Sequence, residues 1–449
     1  MNRLNWLGKV PERWNVLKLR QILTPFSEKN HPNMPLLSVV REKGVIIRNI
    51  EDKEENHNYV PDDLSGYKLV KKGQFAMNKM KAWQGSYGIS KYDGIVSPAY
   101  FVFDINHNMN KDFFNLAIRS KVYVNYFGQA SDGIRVGQWD LSMKRMKEIP
   151  FFLPPRSEQD QIVKFLDWKV SCINKLISVK KKQINELLSL KFLYISKAVT
   201  NGIDDNRLLL LDNSSSVSWN RVKIGYKSWI RARLGWKGLK ATEYVDNGYP
   251  FLSAFNIIND KLSWKNLNYI NQHRYDESPE IKLSVGDILL VKDGAGIGKC
   301  ARIDELPYGE STPNGSLAVI TPYDDLSYKY LYYYLVSNDF KNAISKIITG
   351  MGVPHLTQHF LKNVEIPCPS PDMQDKIVVF LDEECEKLNT LIKIKETEIK
   401  ELKELQMRLV ADTVTGKIDV RNIKIPEYEF VEEETDNIVT DSENELETE

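Results

Sequence analysis

Three stretches of this 449-residue chain carry residue types at spacings that chemistry could use. Val291-Lys-Asp-Gly-Ala-Gly-Ile-Gly-Lys-Cys300 contains the Gly-Lys pair of a phosphate-binding loop. Such a loop also needs a glycine five positions before the pair and a hydroxyl just after it, to hold magnesium. Asp293 and Cys300 occupy those places. A carboxylate there repels phosphate, and a thiol is a poor magnesium ligand. His355 and His359 stand four apart, but the intervening Leu-Thr-Gln lacks the glutamate of the zinc-protease motif, which leaves a structural pair. Asp372, Asp375 and Lys376 have a nuclease-like look that the start of a helix explains better. There is no Asn-Pro-Pro-aromatic motif for adenine methylation and no glycine-rich cofactor loop after a first strand. The expectation is a chain with no catalytic residue, cofactor or metal of its own, whose chemistry is supplied by partners.

Charge points to one class of partner. The net charge of +1 hides an asymmetry: residues 425–449 hold eleven carboxylates and no lysine or arginine, which leaves +12 on the rest. That body suits a polyanion, although solvated lysines on an ordinary surface account for the charge equally well. Cys172, Cys300, Cys368 and Cys385 fit neither a zinc pattern nor a redox pair, and no apolar run approaches the roughly 20 residues that span a bilayer. A reduced cytoplasm and no membrane are expected.

The elements that must position any site are built twice. Gln159–Asp167 recurs almost unchanged at Gln374–Asp382, and the offset of 215 continues without a gap to Asp204 and Asp419, with 19 of 46 positions identical. Proline-containing connectors precede both copies and block helix until each begins. Leu166, Val170, Ile173, Ile177, Lys180, Ile184 and Leu187 alternate at spacings of four and three, as do Leu381, Cys385, Leu388, Ile392, Lys395, Ile399 and Leu402. Each copy is therefore one long helix with a coiled-coil seam, about 40 residues and roughly 60 Å long. The blocks before the helices repeat more weakly. Each has a tryptophan-led strand signal (Trp14, Trp219), a strand with a turn, a strand ending in lysine (Lys79, Lys292), a glycine-containing turn, a hydroxyl-proline step (Ser97-Pro98, Thr312-Pro313) and an aromatic helical pattern.

Two divergent β-rich blocks, each followed by a near-identical long helix, resemble the specificity subunit of type I restriction-modification enzymes over residues 1 to about 422. The resemblance rests on LLSVVREKGVIIR, NKMKAWQGSYGIS with GIVSPAY, VKDGAGIGKC and the two helix starts. It implies an α+β fold with a pseudo-twofold internal repeat. Residues 1–150 would be target recognition domain 1 and 151–205 spacer helix 1; after a linker at 206–215, residues 216–367 would be target recognition domain 2 and 368–422 spacer helix 2. The two helices would pack as an antiparallel coiled coil, bringing the start of the chain near its last helix. The acidic stretch 423–449 departs from the family pattern and has the composition of a disordered tail. The implied partners are double-stranded DNA, two modification (methyltransferase) subunits and restriction/translocase subunits, and S-adenosylmethionine, ATP and magnesium would be bound by those subunits.

Base edges are read by bidentate side chains, while lysines and amides hold phosphates. In the first domain the candidates are Ser38, Arg41 and Lys43, then Lys79, Lys81, Trp83, Gln84 and Ser86 in the glycine-containing turn, Tyr100 after the Ser-Pro step, and Arg135, Gln138 and Trp139 beyond. In the second they are Ser253 and Asn256, then Lys292, Asp293 and Lys299, then Asn314 and Ser316, with His355 and Gln358 beyond. Core packing is the competing role for each aromatic, and solvation for each lysine. If Lys81, Trp83 and Gln84 face Gly294, Ala295 and Gly296 in the other copy, the two half-sites should differ, giving an asymmetric bipartite target with an unread stretch between. Other readings stay open. A glycine-loop NTPase or single-chain nuclease-methyltransferase would bind nucleotide or S-adenosylmethionine by itself, and a coiled-coil scaffold whose function never involves DNA would be favoured by weak, sequence-independent binding at physiological salt. A specificity subunit of a modification-only system is the variant within the family.

Overall fold

A computed structural model describes residues 10–41, 43–48, 61, 63–106, 108–133, 139–204, 207–208, 219–233, 239–294, 296–345 and 355–432. These form two compact units, one drawn from residues 1–179 and 398–434, the other from 180–397. Both are α+β and share one plan.

At the centre of each unit is a four-stranded antiparallel sheet. In the first unit its order is Leu23–Phe26, Tyr100–Ile105, Phe75–Asn78, Tyr87–Ile89; in the second it is Ser228–Arg231, Leu317–Pro322, Ile288–Val291, Cys300–Arg302. Side chains alternate across a strand, so each sheet divides its apolar residues between two cores. Phe75 and Met77 face the main core of the first unit and Ala76 a smaller one. Ile288 and Leu290 join the main core of the second, Leu289 and Val291 another. With both faces covered, the central strand of each sheet reads as a continuous apolar run.

Two features differ from the sequence pattern. Each tryptophan-led signal resolves into a strand, one helical turn and a second strand: Asn15–Lys18, Leu19–Ile22 and Leu23–Phe26, then Arg221–Lys223, Ile224–Lys227 and Ser228–Arg231. The aromatic helical pattern splits in two, Lys111–Ile118 with Lys121–Gln129 and Tyr328–Val336 with Asn338–Ser345. The breaks fall at Ser120 and Ser337, whose extended backbones serve as the N-cap of the next helix in the first case and the C-cap of the preceding one in the second. In each unit the first short strand pairs antiparallel with the strand that leads into a long helix, Asn15–Lys18 with Pro150–Leu153 and Arg221–Lys223 with Glu365–Pro367.

The long helices run Arg156–Asn201 and Pro371–Val414. In the first unit Phe165 and Leu166, near the start of one, share a core with Leu409, Val410 and Val414 at the end of the other. In the second unit Ile195, Ala198 and Val199, ending the first helix, pack with Ile377, Leu381 and Cys385 at the start of the second. Start meets end in both, so the helices pack antiparallel, with the seam residues Leu166, Ile173, Ile177, Ile184, Leu381, Cys385, Leu388 and Ile392 buried. Each helix then ends on a left-handed glycine beneath a tryptophan. A Cβ on Gly202 (φ +84°) would lie 2.8 Å from Trp219, and one on Gly416 (φ +75°) 3.1 Å from Trp14, so only glycine fits. Trp14 thus sits on the end of the last helix as Trp219 sits on the end of the first, which brings the start of the chain to its final helix.

The repeated glutamines that open the helices hold this plan together. Gln159 is 2% exposed; its Nε2 donates to the Pro154 carbonyl (2.8 Å) and its Oε1 accepts from the Asn110 amide (2.8 Å). Gln374, 1% exposed, donates to the Pro369 and Asp325 carbonyls (2.9 and 3.2 Å) and accepts from the Ser327 amide (2.8 Å). Each ties its proline connector to the aromatic helix of its own unit. Past Val420 the backbone lies along the first half of the first long helix: Gln161 Nε2 donates to the Val420 and Ile423 carbonyls (3.1 and 2.8 Å), and Asn174 Nδ2 to that of Val431 (2.9 Å). The remainder of the acidic stretch, 433–449, is outside the described residues.

Candidate nucleic-acid interface

Both glycine-containing turns join the same pair of strands in their sheets. Residues 79–86 connect Phe75–Asn78 to Tyr87–Ile89, and residues 292–299 connect Ile288–Val291 to Cys300–Arg302. The equal lengths place them at one position in the two units.

In the first unit the turn is a 3₁₀ helix, Ala82–Gln84, beside a tilted pair of aromatic rings and an ion pair. Trp83 lies 5.0 Å from Trp139, ring to ring, and its Nε1 donates to the Met80 carbonyl (3.2 Å). Lys79 pairs with Asp140 (2.9 Å), so Lys79, Trp83 and Trp139 come together as one surface. Lys81 is exposed and Gln84 half-buried beside them. Asn78 ends the sheet strand and donates to the Tyr100 hydroxyl (3.3 Å), and burial raises the pKa of that phenol. Lys68 donates to the Tyr100 carbonyl (2.7 Å); burial, with Lys29 and Lys79 nearby, lowers its pKa. Ser38 lies in the strand Leu37–Val40, half-buried, and Arg41 and Lys43 are exposed in the turn that follows, with the Arg119 guanidinium donating to the Arg41 carbonyl (2.9 Å). Ser86 is 2% exposed at the edge of the sheet, so it belongs to the scaffold and not to a reading surface. Arg135 and Gln138 lie outside the described residues.

In the second unit the backbone stitches the candidates together. Lys292 donates from its amide to the Ser316 carbonyl (2.9 Å) and accepts from the Leu356 amide (2.8 Å), while Asn314 donates to the Leu252 carbonyl (2.7 Å). Lys292, Asp293, Asn314, Ser316, Ser253 and His355 thereby meet at one end of the sheet, with Gln358 opening the next helix, Gln358–Asn363. Asp293 is held from both sides: Lys292 Nζ reaches one carboxylate oxygen (2.6 Å) and His355 Nδ1 the other. Asn314 Oδ1 accepts from the Ser316 amide and hydroxyl (3.1 and 2.6 Å). A groove of about 560 Å³ opens beside them, lined by Ser253, Phe255, Asp293, Gly296 and Lys299 and by Lys265, Asn266 and Asn268, which sequence reasoning missed. Asn256 also borders it but is 6% exposed, its Oδ1 accepting from the Ser253 amide (2.9 Å). It fixes a turn and is not available as a reader. The Ser-Ala-Phe-Asn order is a capping-box signal that could have revealed this.

The glycine turn is not a phosphate cradle. The amides of Ile297, Gly298 and Lys299 donate to the carbonyls of Gly294, Val291 and Gly296, and a strand follows where a phosphate loop needs a helix. Cys300 is fully buried, and burial raises its thiol pKa well above the usual range. Gly294 (φ +85°) has open space where a Cβ would be, so its backbone can be approached closely. Among the described residues no cluster of His, Cys, Asp or Glu is arranged to hold a metal, and no helix is long and apolar enough to cross a membrane.

Comparison with known proteins agrees with this architecture. A family model described as type I restriction modification DNA specificity domain matches residues 11–189 and again 236–404. The type I restriction enzyme MjaVIII specificity subunit of Methanocaldococcus jannaschii is 27% identical over 285 residues, 62% of this chain and 64% of that protein, so the match spans just under two thirds of that relative. The putative type I restriction enzyme MjaX specificity subunit of the same organism is 22% identical over 438 residues, 92% of this chain and 96% of that one. A chain from a solved structure concerned with complex assembly and conformational transition of the type I R-M system superposes with a TM-score of 0.62 at 18% identity, covering 91% of this chain and 100% of that one, a likeness of fold.

Proposed function

Because this chain belongs to the type I restriction-modification DNA specificity family, we propose that it reads an asymmetric, bipartite DNA site and positions two modification subunits to methylate adenine within it. Restriction/translocase subunits joining the same complex would add cleavage. S-adenosylmethionine, ATP and magnesium are bound by those partners in this reading, and the target adenine leaves the stack for the modification subunit. The chain itself contributes position. Its lysines, Lys81 and Lys299 among them, meet phosphates, and Gln84, Asp293 and Asn314 face base edges in the major groove.

One observation carries the proposal: equal-length turns at the same place on equivalent sheets, with Trp and Gln in one unit and Asp and glycines in the other. A shared frame with different side chains at its reading end recognises two different half-sites. Selection of duplexes from a random pool by the chain complexed with modification subunits tests it. Two unequal half-sites at a fixed separation are expected, and a pool with no motif or a perfect palindrome would sink the reading.

A further inference from the structure

Phe255 is 85% exposed, the most exposed large apolar side chain among the described residues. A lone exposed hydrophobic residue ordinarily needs no explanation. This one stands on a turn built to hold it out. Asn256 is buried directly behind it, with its side chain accepting from the Ser253 amide (2.9 Å) and hydroxyl (3.2 Å) and its amide donating to the Ser253 carbonyl (3.0 Å). The Ser263 amide donates to the Asn256 carbonyl (2.8 Å), which ties the turn to the next hairpin. Phe255 is thereby pre-organised and little ordering remains to be done on binding.

Its surroundings are otherwise polar. Phe255 borders the groove with Lys265, Asn268, Asp293 and Lys299, side chains suited to phosphates and base-edge donors. Base edges in the major groove carry a single apolar group, the C5-methyl of thymine. At the equivalent place, with the offset of 215, the first unit has Val40, half-buried within a strand.

Resting on the DNA-reading function proposed above, we infer that Phe255 is a specificity-determining residue that packs on a thymine methyl in the half-site read by the second unit. Duplex DNA is the occupant to which the groove's lysines and amides are matched; a face of a modification subunit is the competing one.

The test uses the full chain assembled with its modification subunits and cognate duplexes in which each thymine is replaced in turn by deoxyuridine, which lacks only the methyl. At one position, in one half-site only, the wild-type complex should bind about fourfold more weakly, the worth of one buried methyl group. Phe255→Ala should bind the thymine duplex more weakly and lose the distinction at that position, while Phe255→Leu keeps it. Wild-type binding indifferent to every replacement, or a Phe255→Ala complex as sensitive as wild type, overturns the inference. So does a Phe255→Ala chain that folds with an unchanged Tm but no longer assembles with modification subunits, which would assign the ring to a protein interface. Failure of the wild-type complex to discriminate any DNA sequence would instead remove the underlying function, and the two failures are distinguishable.

Discussion

The two turns at residues 79–86 and 292–299 leave equivalent strands of the two sheets and each carries two lysines, but their remaining side chains differ. One has the Trp83–Trp139 pair and the Lys79–Asp140 bridge, and the other is rich in glycine with one carboxylate held between Lys292 and His355. A second contrast lies at the repeated carboxylates Asp167 and Asp382, which follow the helix starts. Asp382 accepts from the Tyr333 hydroxyl (2.6 Å) and pairs with Arg302 (3.2 Å). At Asp167 burial, reinforced by Asp112, raises the pKa. The repeat preserves the backbone frame, and each unit has solved its own electrostatics around it.

The largest expected effects lie in the frame that the two units share. Gln159→Ala and Gln374→Ala should each cost about 2–4 kcal/mol, because each leaves buried backbone groups without partners. Urea unfolding of the two variants measures this, and an effect confined to one of them would mean that the frames are not equivalent. Next in size is Arg302→Met, which removes the ion pair of the partly buried Asp382 and leaves it the Tyr333 hydroxyl, and should cost about 1–3 kcal/mol by the same measurement.

At the reading surface, Lys81→Ala and Lys299→Ala should each lower the slope of log affinity against log salt by about one, with no change in sequence preference. A salt titration of duplex binding decides, and an unchanged slope in either variant would remove that lysine from the interface. The smallest effect has the opposite sign to that of Arg302. Raised above its unfolded value, the Asp167 pKa makes the ionised carboxylate a net cost at neutral pH, a cost that disappears as pH falls through the folded pKa. Asp167→Asn should therefore raise Tm slightly at pH 7, by little because the group is partly exposed, and lose the advantage in acid. A Tm series against pH checks it.

The long helices and the matching of the two turns were legible because each rests on local signals, heptad spacing, proline and glycine punctuation and a gapless internal repeat, while the antiparallel packing came from the family resemblance. The splits at Ser120 and Ser337 were not, since the apolar pattern runs through both serines and only packing against the sheet bends the chain there. Ser86 and Asn256 read as polar turn residues, yet both are enclosed, and burial of a small polar side chain is decided by distant neighbours. Phe255 had no signal of its own in the sequence, because its exposure is set by the Ser253–Asn256 turn that holds it out. Gln159 and Gln374 were visible as repeats, but their hydrogen bonds reach carbonyls and amides that only the fold brings within range.

The claim that each unit reads one half-site by its own turn is tested most directly by mapping methylated adenines in DNA from cells that express the modification subunits with the wild-type chain, Gln84→Ala or Asp293→Asn. The predicted result is relaxation of one half of the motif in the first variant and of the other half in the second, with the separation between halves unchanged. Relaxation of the same half by both variants, or a wild-type motif in both, would contradict it.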